Sequence, residues 1–315
     1  MKLNELKALF ANGKISKADF VAESYKIHLG LFDYISILES SNVSEIVINS
    51  ENVIVRLLEP PVKIICPSGD LRTVGIESLN FGSYEKAEFK LLSRVVGNCQ
   101  ISNPVFMDIG ANIGFYTLGL TAEHPNLQTF AFEPIPSTFA VLKKNIALNG
   151  LKEVQAFNLG ISERQEEVEF HTYPSQSGAS SRVRLLESTD CAKVTCKLET
   201  LDNFCETHKV SPDIIKCDVE GAEIFVFKGG LKTISRNPPI IFCEMLRKWS
   251  AKYGYHPNDI INLLNSIGYG CYSFEENGVN KIERVDENTK HTNFFFLHLR
   301  NHEEIIRHFS SSRCS

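Results

Sequence analysis

The chain has 315 residues, 43% of them hydrophobic, and a formal net charge of −5 from 33 basic and 38 acidic residues. That length holds one large domain with an additional segment, and an acidic balance with scattered basic residues excludes a dedicated nucleic-acid binder as well as a nucleic-acid partner. No stretch reaches the ~18 uncharged apolar residues of a membrane span. Met1-Lys2-Leu3-Asn4-Glu5 lacks the apolar run of an export signal, so a cytoplasmic protein with reduced cysteines is the expectation.

Taken in chain order, Asn12-Gly13 ends a short first helix at Leu9-Phe10. Ser16-Lys17-Ala18-Asp19 then reads as a capping box opening a second helix, with Phe20, Val21, Tyr25, Leu29 and Phe32 at helical spacing. Two β-rich runs, 53–58 and 62–66, flank a break at Glu59-Pro60-Pro61 and suggest a hairpin. Residues 1–80 are therefore read as a helical and β-hairpin appendage, suited to substrate capture or to pairing two chains as a homo-oligomer. A helix over 84–96 leads into the main domain, 81–300. Strands are predicted at 105–108, 128–132, 153–158, 165–170, 193–199, 213–218, 239–243, 269–274 and 292–298. Helices are predicted at 113–123, 136–148, 201–207, 221–235 and 257–267. This alternation argues for an α/β fold with a Rossmann-like, doubly wound, mostly parallel sheet. Residues 301–315 read as a polar tail, helical at best.

The densest signal is Val105-Phe106-Met107-Asp108-Ile109-Gly110-Ala111-Asn112-Ile113-Gly114. It is a strand, a tight turn that glycine permits, and a helix start whose unpaired N–H groups suit an anionic ligand group. A dinucleotide fingerprint needs a central glycine where Asn112 stands, which opposes a nicotinamide-dependent oxidoreductase. Asp108 precedes the first glycine, where it repels phosphate and suits the cationic portion of a ligand such as S-adenosylmethionine. About 25 residues on, Thr129-Phe130-Ala131-Phe132 ends in Glu133-Pro134, an acid at the strand tip where such folds hold ribose hydroxyls. Gly160, after the third strand, either stands where the adenine would lie or makes a plain turn.

Three segments, FMDIGANIGFYT at 106–117, FAFEP at 130–134 and IIKCDVEGAE at 214–223, carry a closer likeness. From about Tyr84 to Phe242 the chain resembles the FkbM family of class I methyltransferases. The resemblance implies a class I methyltransferase fold, S-adenosylmethionine as cofactor, and O-methylation of a hydroxyl on a sugar, glycan or related metabolite. Asp108, Gly110, Asn112, Gly114, Glu133 and Gly160 are the expected cofactor-binding residues.

Ile214-Ile215-Lys216-Cys217 is a strand running into Asp218, Glu220 and Glu223, and carboxylates at such a strand end face the ligand crevice. They could stabilise a sulfonium, bind sugar hydroxyls or deprotonate the acceptor, and crowding would raise one pKa towards that of a general base. Asp218 is the first choice as base, with Glu220 next and Glu223 after it. N-capping by Asp218 with dipole-favoured acids behind it is the plainer alternative. Glu244 reaches the same edge, but two acids alone do not make a magnesium site, and the cysteine spacings fit no zinc site, so no metal is expected. Ser175–Ser181 is either a lid over the acceptor or an exposed connector. Trp249 either shelters the acceptor or packs at a boundary. A non-catalytic partner with a methyltransferase fold in a glycan-building complex is the rival function, and it would carry damaged motifs.

Overall fold

The computed structural model describes residues 2–187, 190–275 and 278–311. Helices α1 (Leu3–Ala11) and α2 (Lys17–Glu39) precede β1 (Val43–Ile48), β2 (Val53–Leu57), β3 (Lys63–Cys66), α3 (Val74–Phe81) and α4 (Lys86–Gly97). The central part runs β4 (Val105–Ile109), α5 (Phe115–Glu123), β5 (Gln128–Phe132), α6 (Pro136–Asn149), β6 (Val154–Phe157), β7 (Gly160–Ser162), β8 (Glu166–Thr172), β9 (Ala192–Thr200) and α7 (Leu201–His208). It continues as β10 (Ile214–Cys217), α8 (Glu223–Lys228), α9 (Leu231–Arg236), β11 (Ile240–Glu244), α10 (Arg247–Ser250), α11 (Pro257–Asn265), β12 (Tyr269–Glu275), β13 (Gly278–Ile282), β14 (Asn293–His298) and α12 (Glu303–Ser311).

The main sheet has the order β13-β12-β14-β11-β10-β4-β5-β6. The five strands from β11 to β6 are parallel, and β14, β12 and β13 join antiparallel. This is the doubly wound α/β architecture expected. The central strands are near-continuous apolar runs because both faces are covered. Successive residues alternate between two cores: Phe106, Ile214, Ile240 and Phe242 pack under α4 and α5, and Met107, Ile215, Ile241 and Cys243 pack under α7, α8, α9 and α11. The chain leaves β4 towards β5 and β6, and later leaves β10 towards β11. A crevice therefore opens at the carboxyl ends of β4 and β10, the switch point where ligands bind in such sheets. Among the described residues, no helix is long and apolar enough to cross a membrane.

Three boundaries differ from the expectations. The hairpin of 53–66 gains β1 and becomes a three-stranded antiparallel sheet that shares the main core through Val43, Val55, Leu57, Val62 and Ile64. Two asparagines of α6 complete the free edge of β3. Asn145 Oδ1 accepts from the Ile65 N–H at 2.9 Å, and Asn149 both accepts from Lys63 N–H and donates to Lys63 C=O, at 2.8 and 2.7 Å. Residue 80 is thus no structural divide, and what projects is the α1–α2 pair. The helix expected over 221–235 breaks into α8 and α9 at the weak helix formers Gly229-Gly230, where Gly230 leaves the helical region at φ −115°, and Gly229 lies against the Ser162 carbonyl of β7 with no room for a Cβ. Residues 303–311 form α12 rather than a tail, with Phe309 buried in the main core and the Arg94 guanidinium 5.3 Å from its ring centroid.

Candidate active site

Strand register puts four chain segments at one level. Lys216 pairs with Asp108 and Phe242, and Asp108 pairs with Ala131. The turns that follow therefore bring Gly110, Glu133, Asp218 and Glu244 to the same edge, around a cavity of about 450 Å³. Gly110 has φ +81°, and a Cβ on it would collide with the Asp218 carbonyl oxygen. Its missing side chain is what lets the β4 and β10 turns touch. The N–H groups of Gly110 and Ala111 both donate to the Phe132 carbonyl, at 3.0 and 2.9 Å.

Glu133 is buried on this edge. Its Oε2 accepts from Asn112 N–H at 3.0 Å and its Oε1 from Ile135 N–H at 2.8 Å. Burial pushes its carboxyl up to about 7. Each oxygen has used one acceptor position and keeps one, so a diol can still be held while the backbone fixes the carboxylate. Asn112 lines the cavity at φ +50°, and its Oδ1 is buried without a partner. Gly110, Asn112, Glu133 and Gly160 all reach the cavity wall.

Asp108 and Gly114 do not. Asp108 is fully buried beneath the wall, where Thr117 Oγ1 donates to its Oδ2 at 2.6 Å and Lys216 Nζ lies 3.8 Å from its Oδ1. Its Oδ1 has no hydrogen-bond partner, and burial pushes its carboxyl up despite Lys216. Gly114 is the left-handed N-cap of α5 at φ +101°, where a Cβ would press within 2.6 Å of Leu142. It serves the helix start and packing.

Lys216 organises the floor. Its ammonium lies 3.0 Å from Asp218 Oδ2, donates to the Gly110 carbonyl at 3.3 Å, and sits 5.2 Å from the Tyr116 ring centroid. Burial pulls this ammonium down, but Asp218, Asp108 and Glu85 outweigh burial and hold it above the usual lysine range. It is the charged break in an otherwise apolar strand, the sequence signal for its role. Glu85, at the N-terminus of α4, also lines the cavity and accepts from Tyr116 O–H at 2.8 Å. Burial and the neighbouring Asp218 push its carboxyl up. Nothing in the local sequence marks it, since it arrives from outside the strand-turn motifs.

The 218–223 acids separate into two roles. Asp218 and Glu220 line the cavity, Glu220 at φ +55°. Glu223 is buried behind them. Its Oε1 accepts from Val219 and Gly221 N–H, at 3.2 and 2.9 Å, and its Oε2 from Tyr255 O–H at 3.0 Å. Glu223 therefore anchors the turn and does not face the reacting space, which corrects its expected place among the catalytic acids. Burial pushes Glu220 well up, with Asp218 and Glu223 adding to it. Burial, with Asp218 and Glu220, drives Glu244 up to about 10. Three of the described non-glycine residues at positive φ, Glu85, Asn112 and Glu220, line this one cavity, and such backbone strain concentrates at functional sites.

The far wall is the 175–181 segment, whose 3-10 turn Ser177–Ala179 lines the cavity. Ser177 Oγ donates to Asp70 at 2.5 Å and Leu71 N–H donates to the Ser175 carbonyl at 2.9 Å. The N-terminal part of the chain thus pins the segment down, and its Arg72 joins the wall. Ser181 and Tyr253 hydroxyls bond at 2.6 Å at the other end. Trp249 and Lys248 close the rim. Among the described residues, no group of three or more His, Cys, Asp or Glu side chains forms a metal-holding cluster.

Residues 108–271 match the family model described as the methyltransferase FkbM domain. A protein named methyltransferase 1 from Beauveria bassiana is 30% identical over 146 residues, covering 39% of this chain and 57% of that protein. The 2-O-methyltransferase NoeI of Sinorhizobium fredii is 27% identical over 164 residues, covering 48% of this chain and 67% of the relative. The hexuronic acid methyltransferase AglP of Haloferax volcanii is 31% identical over 162 residues, with 51% and 61% covered. The chain thus spans about three fifths of the length of the first curated relatives, 57% and 61%.

Proposed function

Because the chain belongs to the methyltransferase FkbM family, we propose that it is an S-adenosylmethionine-dependent O-methyltransferase acting on a hydroxyl of a sugar, glycan or related metabolite. The observation that carries this reading is the pairing, in one cavity, of spare acceptor capacity with a set of clustered acids. The buried Asn112 Oδ1 lacks a partner and Glu133 keeps two acceptor positions; Asp218, Glu220, Glu244 and Glu85 stand across from them. This acidic part of the lining fits a ligand bearing hydroxyls and positive charge, and Arg72, Arg182 and Lys248 stand elsewhere on the wall. Gly110, Asn112, Glu133 and Gly160 are the residues that would hold the cofactor, which supplies an electrophilic methyl group when bound. The name of NoeI supports transfer to an oxygen, and that of AglP supports a sugar-acid type of acceptor.

The chain's own residues supply position and proton transfer. The wall of 175–181 and Arg72 restrict the acceptor, and proximity of this kind contributes much of a displacement rate. Asp218 is the first choice to take the hydroxyl proton. It is ion-paired with Lys216 at 3.0 Å, whereas burial drives Glu220 and Glu244 towards their neutral forms. Glu220, beside it, is the second choice.

Calorimetry with S-adenosylmethionine, followed by mass spectrometry of a panel of sugar acceptors, tests the assignment. Saturable binding and a 14-Da gain on a hydroxylated acceptor are expected. Asp218→Asn should lower turnover at least a hundredfold while leaving cofactor affinity within a few-fold. Failure to bind the cofactor would favour a non-catalytic partner. Near-full turnover in both Asp218→Asn and Glu220→Gln would place the base elsewhere.

A further inference from the structure

Helix α2 is 23 residues long and contributes no buried side chain. A helix of that length spans about 34 Å, so it is the longest element of the chain and the least used by its core. α1 covers its beginning, where Phe10 stacks on Phe20 at 4.8 Å, and Leu38 packs at its end. Between them runs an open seam of Val21, Tyr25, His28, Phe32 and Ile35, at intervals of four, three, four and three. Val21, Tyr25, Phe32 and Ile35 are 56, 57, 57 and 61% exposed, Leu29 and Leu31 at the shoulders are 48 and 56% exposed, and Ile27 and Tyr34 on the other side of the helix are less so, at 41 and 42%. Contiguous apolar surface of this extent marks an interaction face.

We propose that α2 pairs with α2 of a second copy of this chain, antiparallel, across a twofold axis at His28. The four-three alternation is the repeat by which one helix seats against another. The seam also reads nearly the same in both directions, as β-branched, aromatic, histidine, aromatic, β-branched. In a twofold interface a contact of one residue with another recurs with the copies exchanged, and only the residue on the axis meets itself; here Val21 meets Ile35, Tyr25 meets Phe32 and His28 meets His28. The antiparallel sense also sets opposite helix dipoles side by side. The six apolar side chains, at roughly 100 Å² each, give about 1,200 Å² over both copies, the lower limit of a stable interface. Charge disfavours an anionic bilayer as the occupant. α2 carries Lys17 and Lys26 against Asp19, Glu23, Asp33 and Glu39, whereas a helix lying on such a membrane is rich in Lys and Arg.

Sedimentation equilibrium of the full chain at micromolar concentration tests the pairing. A dimer is expected, and Phe32→Glu, at a position 57% exposed and outside the core, should weaken it at least a hundredfold with an unchanged circular dichroism spectrum. Mixing Val21→Cys chains with Ile35→Cys chains under oxidation should give a crossed disulfide, which neither variant forms alone beyond the wild-type background. A monomer at all concentrations overturns the proposal. So does self-crosslinking of Val21→Cys chains, which would indicate a parallel pair, and so does sedimentation of the monomer with phosphatidylserine vesicles. These readouts measure mass and linkage, so they fail independently of the methyltransferase assignment.

Discussion

The cavity at the carboxyl edge of the sheet and the outer face of α2 depart from ordinary side-chain placement in opposite senses. At the cavity, Lys216 and Asp108 are buried and Glu85, Glu133 and Glu244 are driven towards neutrality. On α2, isoleucine, phenylalanine and tyrosine stand in water. Globular chains normally bury apolar groups and leave charges outside. Each departure costs stability in the isolated chain, and each proposal gives the cost a different recovery: a cationic, hydroxylated ligand at the cavity and an apolar helix at α2. The comparison also separates two kinds of acid. Asp218 and Glu220 face the cavity, open to a ligand; Asp108 and Glu223 lie behind it, bonded to the protein itself.

The largest expected effect tests whether the buried floor is a structural ion cluster. Lys216→Met should destabilise the fold by about 3–5 kcal/mol, the usual consequence of leaving buried charge uncompensated. Asp108 and Asp218 would lose their common cation. Urea denaturation at pH 7 measures this, and a loss below about 1 kcal/mol would mean that water replaces the ammonium.

A smaller effect appears in the pH dependence. Glu133 and Glu223 are raised from 4.5 to about 7, and Glu244 from 4.5 to about 10, chiefly by burial. A carboxyl whose folded pKa exceeds its unfolded value binds more protons when folded, so stability falls as pH rises from the unfolded value to the folded one. The ligand-free protein should therefore lose stability between about pH 4.5 and 7 through Glu133 and Glu223, and continue to lose it above pH 7 through Glu244. Glu244→Gln removes the second part. It should stabilise the protein by about 2 kcal/mol at pH 8 and hardly at all at pH 5, since solvent in the open cavity screens part of the charge. Equal effects at both pH values would remove Glu244 from this account.

Which parts of this molecule can be read from its sequence follows from how local the causes are. Strands β4, β5, β10 and β11 announce themselves because apolar runs end in turn residues, and Glu133 and Asp218 follow at their tips. Gly110 is legible for the same reason. Lys216 carries a local signal, a charge in an apolar strand, but the acids it meets are set by register between strands; Glu85 and Arg72 carry none, since they arrive on a helix N-terminus packed across the sheet and on a loop that reaches the 175–181 segment from more than a hundred residues away. Glu223 is misread for a related reason: in sequence it is one of three equal acids, and only the backbone turn at Glu220 and Gly221 decides which of them faces inwards. The three-stranded N-terminal sheet escapes because β1 lies almost fully on the surface, so its residues carry little alternation.

The smallest effect sharpens the division between the two kinds of acid. Tyr255 O–H donates to Glu223 Oε2 at 3.0 Å, the one side-chain bond that holds the anchoring acid from the α11 side. Tyr255→Phe keeps the ring against Phe225, removes that donor, and should cost about 1 kcal/mol. Because a hydrogen bond to an ionised carboxylate is stronger than one to its neutral form, and Glu223 titrates at about 7, the loss should be larger at pH 8 than at pH 5.5. If Glu223 acted on the acceptor, the same substitution would change turnover and shift its pH profile. If it only anchors the turn, stability moves and the pH profile of methyl transfer stays where it was. Thermal denaturation at the two pH values, alongside initial rates, separates these outcomes.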